Sequence, residues 1–143
     1  MKLLVIGSGM MGSAAAFDMA RTPQVNSITL ADNDGKRARD VAERVNRITS
    51  DKKVRAVTLD ASDERAPAKL MHGHDAALSC VPYFLNLGLA RAAVEARCHF
   101  ADLGGYNTVV RQEVSAFKKG GEAWSGLGSR LRIIAGHGID FGR

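Results

Sequence analysis

Residues 2–32 read KLLVIGSGMMGSAAAFDMARTPQVNSITLAD. A short apolar run, KLLVI, is followed at once by Gly7, Gly9 and Gly12, then by MMGSAAAFDMA, which has helical composition, and by a second strand-like run, SITLAD, that closes on Asp32 twenty residues past the last glycine. The order strand, glycine turn, helix, strand and acid gives each residue a physical task. Gly7 permits a tight turn, Gly9 lets backbone approach a pyrophosphate, and Gly12 lets helix and strand pack closely. Unpaired N–H groups and the positive end of the helix dipole attract phosphate to the helix start, where Met10 and Met11 stand. Asp32, with Asn33 beside it, would accept hydrogen bonds from the hydroxyls of an adenosine ribose. Its charge opposes a 2′-phosphate, so the pattern predicts NAD in preference to NADP. Packing alone would account for the glycines; it does not require an acid at the end of the second strand.

Working outward, the remaining chain repeats the alternation. Lys36 to Arg55 supply a basic second helix and loop with Asp34, Asp40, Glu43 and Asp51 interleaved, and Val41, Val45 and Ile48 at helical spacing as its buried stripe. VRAVTLD at 54–60 predicts a third strand, with Ser62 or Asp63 capping a short helix that runs to about Met71. HDAALSCVP at 74–82 predicts a fourth strand ended by Pro82. A helix over 85–97 turns Leu85, Leu89, Ala92, Ala93 and Ala96 inward, CHFADL at 98–103 is a fifth strand running into Gly104 and Gly105, and LRIIAG at 131–136 reads as a sixth. Such a βαβ series demands right-handed crossovers and an α/β, Rossmann-like, doubly wound parallel sheet of about six strands with helices on both faces. Ligands of such sheets lie at the carboxyl ends of the strands. That rim collects Gly7 to Gly12, Asp32, Asp60, Ala61, Cys80, Val81, Pro82, Leu103 and Gly104.

Composition fits one compact domain over residues 1–143. A chain of this length buries roughly two thirds of its unfolded surface, enough for a core without disulfide or metal support. Apolar residues make up 45% and charged residues 24%, both ordinary for a globular protein. The net charge of +5 sits mainly on the second helix, among acids and without interleaved aromatics, so it reads as a solvated face and excludes nucleic acid as a partner. No apolar run approaches the ~20 residues of a membrane span, and the first strand opens the chain, so a cytoplasmic protein is expected. Cys80 and Cys98 lack ligand spacing and lie in apolar strand contexts, which predicts two reduced structural thiols. His72, His74 and His99 have no carboxylate or cysteine to complete a ligand set, so no metal is expected.

Several segments together resemble the N-terminal NAD(P)-binding domain of the saccharopine dehydrogenase and lysine 6-dehydrogenase group: VIGSGMMG, the Asp32 strand end, VTLDASD, GHDAALSCVPYFLN and above all HFADLGG. The resemblance runs from Met1 to about Val110. It implies that Gly9 to Gly12 hold the pyrophosphate, Asp32 the ribose, Asp60 and Ala61 the adenine end, and Cys80 to Pro82 with Leu103 and Gly104 the nicotinamide end. It implies an NAD-linked oxidation of an amino acid or imino acid at a C–N bond, with a homodimer and the catalytic side chains supplied by a second, substrate-binding domain absent from this chain. Phe141 stands where the family's Gly-x-x-Pro-Gly turn has proline, and KKGGEAWSGLGS at 118–129 is more glycine-rich than the family's link between helix and strand. A regulatory nucleotide sensor of the potassium-transport type shares the glycine turn and the strand-two acid, but not ADLGG. A Tyr-x-x-x-Lys pair, which short-chain reductases need, is missing after both Tyr83 and Tyr106.

Overall fold

The computed structural model describes residues 1–103, 107–125 and 133–134. Six strands, β1 (Lys2–Ile6), β2 (Ser27–Asp32), β3 (Val54–Thr58), β4 (Ala76–Ser79), β5 (His99–Asp102) and β6 (Ile133–Ile134), form one sheet in the order β3-β2-β1-β4-β5-β6. Every pairing is parallel. Helices α1 (Met10–Ala20), α2 (Gly35–Thr49), α3 (Ala66–Met71), α4 (Asn86–Ala96) and α5 (Asn107–Ser125) make the crossovers. This is the doubly wound arrangement expected from the alternation.

The two faces of β1 explain the layers. Leu3 and Val5 join Ile28, Leu30 and Val54 under Ala16, Ala20, Val41 and Val45 of α1 and α2. Leu4 and Ile6 join Ala77 and Phe100 under Met71 of α3 and Leu89, Ala93 and Ala96 of α4. Apolar side chains therefore leave β1 alternately toward opposite helical layers, as a central parallel strand requires. Because the chain winds from β1 out to β3 and then restarts on the other side of β1 with β4, the connections part at the carboxyl ends of β1 and β4. That parting is the topological switch point, where such sheets bind ligands.

Local chemistry sets the element ends, and several differ from the sequence expectation. Asp34 caps α2 by accepting from the N–H groups of Lys36 and Arg37, both at 3.0 Å. Asp63, not Ser62, performs the corresponding task ahead of α3, accepting from Arg65 and Ala66. The third, fourth and fifth strands each stop one or more residues short of the apolar runs that announce them, since Leu59, Cys80 and Leu103 already belong to the rim. Leu85 lies in a short 3-10 turn, Tyr83–Leu85, and is half-buried rather than inward. Ile48 is 62% exposed and leaves Val41 and Val45 as the inner stripe of α2. α5 extends through Ser125, so residues 118–125, expected in a link, continue the helix; glycine there was outweighed by the helical run around it. Residues 104–106, 126–132 and 135–143 lie outside the described residues, with Gly104 and Phe141 among them.

Candidate dinucleotide site

The glycine turn is built as its spacing predicts. Gly7 takes φ +98°, and a Cβ there would sit 2.7 Å from the Cys80 carbonyl oxygen. A side chain at Gly12 would collide with the carbonyl of Gly7, so α1 can lie against the turn only with glycine at that position. Gly9 is different: a Cβ there meets nothing within 4 Å. Its lack of a side chain therefore serves the space outside the backbone rather than the packing within it. No side chain caps α1, and its first turn carries no acid, which leaves the positive end of an 11-residue helix facing that space.

Asp32 ends β2 beside this turn and is 5% exposed. Its Oδ2 accepts from the Ser8 N–H at 2.6 Å and the Ser8 hydroxyl at 2.8 Å, and its Oδ1 accepts from the Asp34 N–H at 2.9 Å. The Arg37 guanidinium donates to Oδ1 at 2.7 Å. Burial works to raise the pKa of Asp32, but the N–H groups of Ser8 and Asp34, the Ser8 hydroxyl and Arg37 outweigh it and bring it down to about 2. The carboxylate is thus a fixed anion, locked to the glycine turn and half-neutralised from one side. Arg37, assigned from the sequence to a solvated face, instead joins the site while staying half-exposed. It follows Asp32 by five residues and the Asp34 cap by three, just under one helical turn, a spacing that by itself does not separate it from the other basic residues of α2.

A cavity of about 400 Å³ opens along the rim. Gly7, Gly9, Asp32, Asn33, Asp60, Ala61, Cys80, Val81 and Pro82 line it, so nine of the predicted residues converge there from the ends of four different strands. Met10 borders the neighbouring depression over the start of α1, Met11 is exposed beside it, and Gly12 is buried beneath the turn. Leu103 is 49% exposed and stands outside the cavity wall. Ile6, Leu59, Phe84 and Leu85 complete the lining alongside Arg37. Phe84 was missed because only the 3-10 turn after Pro82 brings it over the opening. Asp60 Oδ1 accepts from the Ser62 N–H and hydroxyl, forming a turn, and the residue borders the cavity. Ser79, buried behind Cys80, donates its hydroxyl to Asn86 Oδ1 at 2.7 Å and ties the end of β4 to the start of α4.

The Ser62 hydroxyl and N–H lower the pKa of Asp60, while burial pushes the Cys80 thiol up to about 11 and the Cys98 thiol to about 12. Both cysteines are free and protonated, structural rather than nucleophilic. His74 is structural too: its two ring nitrogens lie 2.8 Å from the Thr29 hydroxyl and 2.9 Å from the Leu70 carbonyl. Among the described residues no group of three or more histidine, cysteine or acidic side chains has metal-binding geometry, and no helix is long and apolar enough to cross a membrane. A second hollow, of about 250 Å³ over Leu3, Ala76, Leu78 and Phe100, is wholly apolar and offers nothing to a phosphate.

The family model described as "Saccharopine dehydrogenase NADP binding domain" matches residues 3–123. Among solved structures, the chain is similar to saccharopine dehydrogenase (L-Glu forming) from Saccharomyces cerevisiae, at 18% identity and a TM-score of 0.71 over 97% of this chain and 27% of that one. It is also similar to a shikimate 5-dehydrogenase from Mycobacterium fortuitum, at 23% identity and 0.65, covering 94% and 44%. A UDP-N-acetylglucosamine 3-dehydrogenase from Acidithiobacillus ferrooxidans matches at 20% identity and 0.63, covering 96% and 38%. At these identities the likeness is one of fold, and the chain spans less than half the length of each of the three proteins.

Proposed function

Because the chain belongs to the family of saccharopine dehydrogenase NADP-binding domains, we propose that it holds a nicotinamide dinucleotide along the carboxyl rim of its sheet, as the cofactor half of an oxidoreductase acting on a C–N bond of an amino acid or imino acid. The observation that carries this reading is the open, uncapped start of α1 at Gly9 with the buried, ionised Asp32 beside it. A diphosphate needs the first and a ribose diol the second, and the cavity between them is of the size that small-molecule sites have. The residues present fit the cofactor.

In this reading Gly7, Gly9, Met10, Met11 and Gly12 offer backbone to the pyrophosphate, and Asp32 with Asn33 takes the adenosine ribose. Asp60 and Ala61 border the adenine, and Cys80, Val81 and Pro82 face the nicotinamide half, to which the family resemblance adds Leu103 and Gly104. The nicotinamide ring would supply hydride transfer; this chain would supply binding, orientation and a dry wall. Asp32 and Asp60 stay ionised and Cys80 stays protonated, so none of the three is poised near neutrality as a general acid or base. The acid/base group and the substrate pocket are therefore assigned to a second domain of a longer enzyme.

NAD is the preferred cofactor on this account, because a buried carboxylate at the ribose disfavours a 2′-phosphate. The preference is moderate, since the family's description names NADP and Arg37 offsets part of the Asp32 charge. Calorimetric titration of the chain with NADH, NADPH, ATP and ADP tests it. NADH binding tighter than that of the other three supports the reading. Binding of ATP or ADP with no added affinity from the nicotinamide half would contradict it.

A further inference from the structure

The Asp32 carboxylate, assigned above to the ribose, is already fully engaged within the chain. A carboxylate accepts at about four lone-pair positions, two on each oxygen. Oδ2 takes the Ser8 N–H and the Ser8 hydroxyl, and Oδ1 takes the Asp34 N–H and the Arg37 guanidinium. A ribose diol arrives as two further donors, so it can bind only where one of these four gives way. Three of them belong to the fold: two are backbone N–H groups, and the third is the hydroxyl of Ser8, a residue only 2% exposed. The fourth is different. The Arg37 side chain is 51% exposed while that of Asp32 is 4% exposed, and both residues line the cavity. Among the described residues Arg37 makes no other ion pair. Arg37 is thus the one donor that reaches Asp32 from the solvent side and can leave without breaking a turn.

We infer that Arg37 is a latch on the cofactor site: it occupies the Oδ1 position that a ribose hydroxyl needs, and the dinucleotide binds by displacing it. Given the ribose assignment of Asp32, on which this rests, two consequences follow from the contact. At 2.7 Å and between full charges it holds the free chain mainly in the latched form. A ligand that needs the open form then binds with its affinity reduced by the fraction of molecules that are open. A 2′-phosphate, by contrast, gives the released guanidinium a new anion to meet. NADPH therefore loses less to the latch than NADH does, and the residue that closes the site also sets how far the site separates the two cofactors.

Arg37→Ala opens the latch permanently and leaves the donors from Ser8 and Asp34 in place. Calorimetric titration of the full chain with NADH should show this variant binding about three- to tenfold tighter than the parent, with an unfolding temperature close to the parent's. The gain should shrink as salt is raised from about 0.05 M to about 0.5 M, because the half-exposed ion pair of the parent is then screened. In an Asp32→Ala background the same substitution should bring no gain, since no carboxylate is left to free. Equal or weaker NADH binding by Arg37→Ala, or a gain that persists without Asp32, would overturn the latch. If Asp32→Ala alone lowers NADH affinity while Arg37→Ala brings no gain, the latch fails and the ribose assignment stands. If Asp32→Ala changes nothing, the ribose assignment fails and the latch with it.

Discussion

At the level of single residues, four positions carry the site, and each fails differently. Removing the carboxylate in Asp32→Ala takes away the ribose acceptor and the partner of Ser8 and Arg37 together. NADH affinity is expected to fall at least tenfold and the preference over NADPH to narrow, measured as the ratio of the two dissociation constants. An unchanged ratio would reject the ribose assignment. Arg37→Ala should move that ratio the other way, widening the preference for NADH, because Asp32 then presents its full charge. Gly9→Val should abolish dinucleotide binding while leaving the unfolding temperature within a few degrees, since a Cβ at Gly9 meets open space. Gly7→Ala reverses that pattern: φ +98° and the approach to the Cys80 carbonyl make it a fold mutation, costing about 1–3 kcal/mol in denaturant unfolding. Gly7, Gly9, Gly12 and Asp32 were all legible in the sequence, because their tasks are set by backbone geometry over a short stretch. Arg37 and Phe84 were not, because their place at the cavity depends on how α2 and the 3-10 turn lie over the sheet.

Among the elements, β1, α1 and β2 followed their sequence patterns closely because local and tertiary demands agree there. KLLVI is apolar on both faces, and both faces are covered. Ile48 broke its pattern: it is exposed, while in the same turn Asn46 and Thr49 are half-buried and the Asn46 amide bonds the Val54 backbone at the start of β3. The fourth and fifth strands are shorter than their apolar runs because pairing stops where the chain turns into the rim, and apolarity alone does not distinguish a strand from the wall of a cleft. Caps are a property of elements as well. Asp34→Ala removes the acceptor for two N–H groups of α2 and should destabilise the chain by about 1 kcal/mol in chemical denaturation, without changing cofactor selectivity by more than its effect on folding.

The whole molecule shows why the rim is the place for chemistry. Winding from β1 to β3 and then from β4 onward opens the connections at one point, and the glycine turn of β1 and the Cys80–Pro82 end of β4 meet there across the cavity. The topology was legible because a βαβ series with right-handed crossovers permits few arrangements. Substrate and reaction were legible only through family resemblance, since the residues that would choose a substrate belong, on this account, to a part of the enzyme that a cofactor domain does not contain. The most direct test of the central claim is an amide chemical-shift map of the full chain on addition of NADH. The account predicts that the largest changes fall on residues 7–12, Asp32 and Asn33, Asp60 and Ala61, and Cys80 and Val81. Changes centred on the apolar hollow over Leu3, Ala76 and Leu78, with the glycine turn unaffected, would contradict it.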